Sequence, residues 1–464
     1  MRARILMATG LALGLALGLA WLVPPAVAGT PAVHEYTLDN GMTVVVREDH
    51  RAPVVVSMVW FAVGSSYEQR PLTGISHVVE HMMFKGTETR PTGEFSRLIA
   101  ERGGHQNAFT GRDFTGYHQQ LAVEHLPLAF ELEADRMQNL VFDQGEYERE
   151  MEVVREERRQ RVEDNPTAKF MERFRAVAWS ASPYGQPVIG WMEDLDRLRL
   201  SEVEDWYRRW HGPESATLVV VGAVDPDAVF ALAEEHFGPV PARERPEPIP
   251  GGDIPDPGER AVTVRIPAEL PYLAMGWRVP TLGSIDREDE EALREVYALA
   301  LLRAVLSGGQ AAILPERLER QQGVAVGAGA SYSATARLQD LFLLAGRPAP
   351  GAGLDELEAA LREEVQRLQE EPLDEERLVR ARRQYVADEL FSQDSMRAQA
   401  MRLGALESTG IGWEAGERFL EGVQTVTAED IQRVARRYLV DDQLTVGRLV
   451  PADREASTDA GEEQ

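Results

Sequence analysis

The 464-residue chain contains no cysteine, and this absence narrows the chemistry open to it. Disulfide bonds, thiolate metal ligands and thiol nucleophiles are excluded, so any metal must be held by histidine and carboxylate side chains. Lysine is almost as scarce, because Lys85 and Lys169 are the only two among 49 basic residues. The formal net charge of -27 argues against sequence-independent binding of nucleic acid through its phosphates.

Long apolar runs are also lacking outside the first 28 residues. There Arg2 and Arg4 precede an apolar stretch over residues 5–23, and the tripeptide AVA ends the segment at Ala28. This order predicts a secretory signal peptide over residues 1–28, and therefore a periplasmic or otherwise exported protein with no membrane span after signal removal. An uncleaved N-terminal membrane anchor is the alternative, since the stretch is nearly long enough to cross a bilayer.

A segment rich in proline and glycine divides the rest of the chain. We predict an extended, semi-rigid linker over residues 241–259, because proline and glycine at this density exclude a regular element. It separates an N-terminal domain over residues 29–240 from a C-terminal domain over residues 260–452. A polar segment over residues 453–464 is predicted to be a flexible tail.

The two predicted domains look like distant repeats. In each, alternating apolar runs typical of strands precede helical patterns. The strings FDQGE at residues 142–146 and LDEE at residues 373–376 each open a long charged helix. The sequence therefore predicts an internal duplication and an α+β fold, in which each domain has an antiparallel or mixed β-sheet with helices packed on it.

Residues 74–86 read GISHVVEHMMFKG and contain the string His77-x-x-Glu80-His81. On a helix the apolar residues of this segment fall on one side, and both histidines and the glutamate cluster on the other. Two imidazoles one turn apart can reach one metal ion, and H-x-x-E-H is the inverted zinc motif. The triplet favours a zinc site over an ordinary solvated helix face, although a catalytic zinc also needs a third protein ligand.

The charged segment over residues 148–166 is the richest source of that third ligand. On a helix, Glu150 and Glu157 lie two turns apart on one face, with Val153 and Val154 between them. Carboxylates that share a stripe with valines are costly unless a metal or a histidine N–H compensates them. The alternative is a charged surface helix with ordinary glutamate–arginine pairs.

These motifs resemble the pitrilysin or insulinase family of zinc metallopeptidases, and are most similar to its half-length, bacterial processing-peptidase-like members. The segments LDNGMTVVVRED, GGHQNAFTGRDFTGYH and GPESATLVVVGAVD carry further similarity, which covers nearly the whole chain after the signal. The resemblance implies one zinc ion held by His77, His81 and Glu157, with Glu80 as general base. It also implies that Glu150 orients a ligand histidine; Glu156 is the neighbouring alternative to Glu157, and the spacing favours Glu157.

The resemblance also implies a substrate. Asn107, Ala108 and Phe109 would lie on an exposed strand edge that pairs with the main chain of a peptide or unfolded segment, in a cleft enclosed by the two domains. On the residues alone, this segment is an ordinary strand and turn.

One departure from the family pattern concerns the second domain. Active members carry an Arg and a Tyr seven residues apart, and here Glu319 and Val326 occupy those places, with Arg320 and Tyr332 nearby but out of register. We therefore expect the chain to need a related subunit that carries the pair, as a heterodimer. The alternatives are a homodimer or a single chain that uses Tyr332.

Two functional hypotheses follow. The first is an exported zinc endopeptidase, favoured because the full set of ligands and base is present. The second is a non-catalytic scaffold, assembly or peptide-binding subunit with the same fold, since the family includes members that lost the chemistry.

Overall fold

The computed structural model describes residues 32–249, 251–253 and 258–452. The predicted signal peptide, the predicted tail and part of the predicted linker lie outside the described residues. Within the described ranges, no helix combines the length and the apolar character needed to cross a membrane. We call residues 32–237 the first half and residues 258–452 the second half.

The first half contains six strands and eight helices. The strands are β1 (Val33–Thr37), β2 (Thr43–Glu48), β3 (Val54–Phe61), β4 (His105–Thr110), β5 (Thr115–Ala122) and β6 (Ala216–Gly222). The helices are α1 (Ile75–Met82), α2 (Glu94–Glu101), α3 (Leu126–Gln138), α4 (Gln144–Arg158), α5 (Pro166–Ala178), α6 (Met192–Leu195), α7 (Leu200–Trp210) and α8 (Pro226–Phe237). The strands form one sheet in the order β1-β2-β6-β3-β5-β4, so β4 lies at an edge.

The second half repeats this plan with five strands and six helices. The strands are β7 (Arg260–Pro267), β8 (Tyr272–Val279), β9 (Ala325–Ser331), β10 (Asp340–Pro348) and β11 (Leu444–Ala452). The helices are α9 (Glu290–Ser307), α10 (Leu354–Glu370), α11 (Glu375–Ser392), α12 (Met396–Ser408), α13 (Trp413–Thr425) and α14 (Ala428–Tyr438). The sheet order is β7-β11-β8-β10-β9.

The two sheets match strand by strand. In each, the first of the shared strands is parallel to the last strand of its half, as β2 is to β6 and β7 is to β11. The remaining pairings are antiparallel in both sheets, and β4 and β9 are the equivalent edge strands. The duplicated α+β fold predicted from the sequence is confirmed.

Alternation along the strands gives each sheet two apolar faces. In β2, Val44 and Val46 face the core beneath α1, whereas Val45 faces the opposite side together with Trp60 of β3. Helices of the first half cover only the first of these faces. A strand with both faces apolar needs a cover on each side, because exposed β-sheet of this composition is costly in water.

The second cover comes from the other half. Helix α12 packs Ala400 and Leu403 against Trp60 on the first sheet. In return, α5 packs Phe170 and Phe174 against the second sheet. The two halves therefore exchange helices, and each sheet is completed by the other half.

Candidate active site

Helix α1 presents the H-x-x-E-H residues because both its start and its apolar face are fixed. It begins after Gly74, whose φ of 87° favours glycine. The Glu68 carboxylate accepts hydrogen bonds from the backbone N–H groups of Gly74 (2.7 Å) and Ser76 (2.9 Å), which satisfies donors of the first turn. The apolar side chains of the helix are fully buried, namely Ile75, Val78, Val79 and Met82. The histidines and Glu80 consequently face away from this core.

Helix α4 brings the second set of carboxylates to the same place. Its N-terminus is capped by Asp143, which accepts a hydrogen bond from Glu146 N at 2.9 Å. Val154 lies in the core between Glu150 and Glu157, as the predicted stripe requires. Val153 does not share that stripe: its side chain is 49% exposed, because the 100° step per residue places it on the outer side of the helix.

Three potential ligand atoms converge between the two helices. Glu157 Oε2 lies 3.5 Å from His77 Nε2 and 3.4 Å from His81 Nε2, and the three atoms all lie within 4.8 Å of one another. Ligands about 2.1 Å from a tetrahedral zinc ion are about 3.4 Å apart, so the two distances from Glu157 Oε2 to the histidine nitrogens fit zinc. Two imidazoles and a carboxylate are also the donor types that zinc accepts at catalytic sites.

The protonation of His77 suits a ligand. Burial, followed by the positive charge of His81, lowers the pKa of His77 to about 3. The ring is therefore neutral at physiological pH, as metal coordination requires. The two imidazole rings meet edge to face, with centroids 4.7 Å apart.

His81 is oriented by Glu150 on the side away from Glu157. Its Nδ1 lies 3.0 Å from Glu150 Oε2, so Nδ1–H donates to this carboxylate and Nε2 faces Glu157. The other oxygen of Glu150 lies 2.5 Å from Lys85 Nζ. Burial lowers the pKa of His81, but the hydrogen bond to Glu150 and the neighbouring carboxylates outweigh it and raise the pKa overall. Burial of Glu150 is likewise outweighed by His81 and Lys85, which lower its pKa.

Glu80 stands beside the cluster, and its carboxylate has one side-chain hydrogen-bond partner among the described residues. Thr110, the last residue of β4, donates a hydrogen bond of 2.6 Å to Glu80 Oε2. Burial raises the pKa of Glu80, and the Thr110 hydrogen bond offsets only part of that effect. A carboxylate with a raised pKa holds a proton more readily, which is the property a general base in a peptidase needs.

A cavity of about 750 Å³ opens onto these side chains. Its lining includes His77, Glu80, His81, Glu150 and Glu157. It also includes Asn107, Ala108 and Phe109, which lie on the edge strand β4. The residues predicted to bind metal, to act as base and to contact substrate therefore line a single cleft.

Sequence reasoning missed several residues of this cleft. They are Lys85, Thr110, Arg112, Arg161 and Arg175. Lys85 follows His81 by four residues, so helical spacing could have suggested its contact with Glu150. Arg161 lies 2.6 Å from Glu157 Oε1 in an i, i+4 pair, and the same spacing could have revealed it. No local pattern marks the remaining three, because their place depends on how the strands and the two halves pack.

The second-half residues noted from the sequence lie elsewhere. Glu319 accepts a hydrogen bond of 3.0 Å from the backbone N of Ala328 in β9, and Val326 is 55% exposed on that strand. The hydroxyl of Tyr332 donates to the carbonyl of Pro280 at 2.6 Å. None of the three lines the cavity at His77.

Comparisons with known proteins place the chain in a family. The profile of the family described as "Insulinase (Peptidase family M16)" matches residues 43–191, and that of the "Peptidase M16 inactive domain" matches residues 197–385. The zinc protease PqqE of Helicobacter pylori is 30% identical over 326 residues, which cover 68% of this chain and 71% of that protein.

Solved structures show the same fold. The crystal structure of a protease from Helicobacter pylori has a TM-score of 0.85 and 25% identity, and the match covers 91% of this chain and all of that one. The periplasmic protease PqqL of Escherichia coli matches in fold, with a TM-score of 0.76 and 19% identity over 91% of this chain and 48% of its own length. The chain belongs to the insulinase-type peptidase family M16.

Proposed function

We propose that this protein is an exported zinc-dependent endopeptidase that cleaves peptides or unfolded protein segments. The observation that carries the proposal is the convergence of His77, His81 and Glu157 on one point, with Glu80 beside them in the same cleft. That relatives are named zinc proteases supports a peptidase function.

In this proposal His77, His81 and Glu157 hold one zinc ion per chain, and Glu150 fixes the ring of His81. When bound, zinc supplies the Lewis acidity that activates water and polarises the scissile carbonyl. Glu80 accepts the proton of the attacking water and later delivers it to the leaving amine. Thr110 holds the Glu80 carboxylate in place through its 2.6 Å hydrogen bond.

The edge strand β4 serves as the substrate platform. Strand β4 pairs with β5 along one of its sides, which leaves its other side open to the cavity. An extended peptide can add to such an edge through main-chain hydrogen bonds at Asn107, Ala108 and Phe109. Binding through the backbone depends weakly on sequence, which suits peptides and unfolded segments.

A related subunit completes the enzyme in this proposal. Glu319 and Val326 occupy the places of the family's Arg and Tyr. The Glu319 carboxylate accepts a hydrogen bond from the backbone of β9. The Tyr332 hydroxyl likewise donates a hydrogen bond to the carbonyl of Pro280. We therefore expect a heterodimer in which the partner supplies the substrate-contacting pair, with a homodimer as the alternative. Export to the periplasm is supported by the N-terminal pattern over residues 1–28.

The absence of the Arg/Tyr pair also favours a second candidate, a non-catalytic scaffold or peptide-binding subunit. The two candidates differ in turnover. Zinc content by mass spectrometry and cleavage of unfolded protein substrates with and without chelator separate them, with the chain purified alone and with the partner that co-purifies at native expression level. The endopeptidase predicts zinc near one per chain and cleavage that chelator abolishes.

The Glu80→Gln variant tests the assigned base. It should retain zinc while cleavage falls by about 100-fold or more, because the ligands are untouched and only the proton acceptor is lost. Full activity in this variant would refute the assignment. Strong cleavage by the isolated chain would refute the dependence on a partner.

A further inference from the structure

One face of α5 forms a wall of the cleft. Four of its residues follow the i, i+3, i+4, i+7 spacing of one helix face and line the cavity, namely Ala168, Met171, Glu172 and Arg175. The opposite face carries Phe170 and Phe174, which anchor the helix on the second sheet. The position of Arg175 in the cleft is therefore set by packing between the two halves.

The cleft continues past Arg175 into the second half. A further cavity of about 220 Å³ shares Arg112, Met171 and Arg175 with the main cavity. Its remaining walls come from both halves and include Trp179 and Tyr332. The two arginines thus stand where the zinc-site cavity meets this extension.

Positive charge exceeds negative charge at the junction of the two cavities. Arg112 Nη1 pairs with Asp340 Oδ1 at 3.0 Å, and its guanidinium lies 4.8 Å from the centroid of the Tyr184 ring. The Arg175 guanidinium makes no ion pair or side-chain hydrogen bond with any residue that the structure describes. Asp340 is thus the single acid among the residues that line the extension, opposite two arginines.

The setting of Arg175 reinforces this imbalance. The side chain remains accessible from the cavity. Desolvation by the surrounding protein, followed by the charge of Arg112, lowers the pKa of Arg175 to about 10, although Asp340 opposes this effect. An anionic group placed between the two arginines would relieve their mutual repulsion and supply the missing partner.

The junction lies within reach of a bound peptide. Thr110 contacts Glu80 at the end of β4, and Arg112 follows two residues later. A substrate strand that pairs with β4 advances by about 3.3 Å per residue. A substrate group about two to three residues away from the cleaved bond would therefore reach the two arginines.

We propose that Arg112 and Arg175 form a carboxylate-binding subsite of the cleft, which selects substrates with a carboxylate about two to three residues from the cleaved bond. This inference rests on the proposed peptidase function and adds a substrate class to it. The carboxylate belongs to an acidic side chain or to the C-terminus of the peptide. In a chain with a net charge of -27, the subsite is a local concentration of positive charge.

Peptide binding tests the subsite without turnover. Fluorescently labelled short peptides of neutral composition carry a single Asp at each position in turn, with Asn at the same position as reference. A second set compares a free C-terminus with an amide. Binding is measured by fluorescence anisotropy with the full-length, zinc-loaded Glu80→Gln protein. Cleavage of the same peptides is measured with the unmodified chain, alone and with the partner that co-purifies with it.

One Asp position, or the free C-terminus, should improve affinity by about tenfold over its neutral reference. Arg175→Gln should abolish this preference, and Arg175→Lys should restore part of it. Arg173→Gln is the matched control, since Arg173 is an exposed arginine on the same helix that does not line the cavity. It should leave the preference unchanged.

The two readouts separate the two proposals. Equal affinities at every position and for both C-termini, or no peptide binding, would overturn the subsite. A preference that survives Arg175→Gln would overturn it as well. A preference that Arg175→Gln abolishes, together with no cleavage by the unmodified chain either alone or with its co-purifying partner, would leave the subsite standing and reject the peptidase.

Discussion

Thr110 donates a hydrogen bond of 2.6 Å to Glu80, and this contact joins the edge strand β4 to the helix that carries the two histidines of the proposed metal site. The strand proposed to align the substrate and the carboxylate proposed to act as base are thereby held at a fixed separation. Proximity of this kind is a large source of catalytic rate when the geometry is maintained.

Replacing Thr110 with Val should weaken catalysis without removing the metal. We expect kcat/KM for peptide cleavage to fall about tenfold, because Glu80 loses a charge-assisted hydrogen bond and its fixed position. Zinc content should be unchanged, since Thr110 is not among the candidate ligands. Thr110→Ser, which keeps the hydroxyl, should retain most activity, and equal loss in both variants would contradict this role.

Glu157 and its neighbour Glu156 should respond differently to the same substitution. Glu157→Gln should weaken zinc binding by more than about 100-fold, because it removes one of the three proposed ligands. Glu156→Gln is the matched control, since its carboxylate is 56% exposed and pairs with Arg159. Competition with a chromogenic chelator measures both affinities. Loss of zinc from the Glu156 variant alone would reverse the assignment.

Substitution of Glu150 tests the support of His81. Glu150→Gln should lower zinc affinity by about 10- to 100-fold, because the ring of His81 loses its anionic partner. Glu152→Gln on the exposed side of the same helix is the control and should have no effect. Unchanged zinc affinity in the Glu150 variant would show that His81 needs no orienting carboxylate.

The helix exchange makes a prediction about stability. A Cβ at Gly404 of α12 would lie 2.1 Å from Trp60 Cε2, so Gly404→Ala forces the two elements apart. We expect a loss of about 1–3 kcal/mol in the free energy of unfolding, measured by chemical denaturation. Trp60→Phe removes the ring atoms in contact, and in that background the same substitution should cost less. Equal costs in both backgrounds would contradict a direct clash.

Much of this fold was predictable because its signals are local. The apolar spacing around His77 indicated a helix with one polar face. The FDQGE and LDEE strings indicated equivalent helices in two repeats. Both patterns depend only on residues a few positions apart, so the sequence contains the information directly. The placement of Val153 was wrong for a small reason, since one helical step separates the buried from the exposed side.

The exchange of helices and the arginine pair could not be predicted in this way. The apolar face of α5 shows that Phe170 and Phe174 are buried, but not which sheet buries them. Arg175 reads as an ordinary charged residue on a helix, because the cavity that it lines forms only when the second half packs beside that helix. Such features depend on contacts between residues far apart in the chain, and no single periodicity reports them.

The helix exchange also decides how a substrate can reach the site. Pulling the halves apart would strip α12 from the first sheet and α5 from the second at once, exposing Trp60 and Phe174 to water. Motion about the connecting segment alone would therefore carry a large hydrophobic penalty. We expect the cleft to keep a fixed width, so that substrate access depends on the protein that binds over its opening. A second subunit would then control the entry of substrate into the cleft.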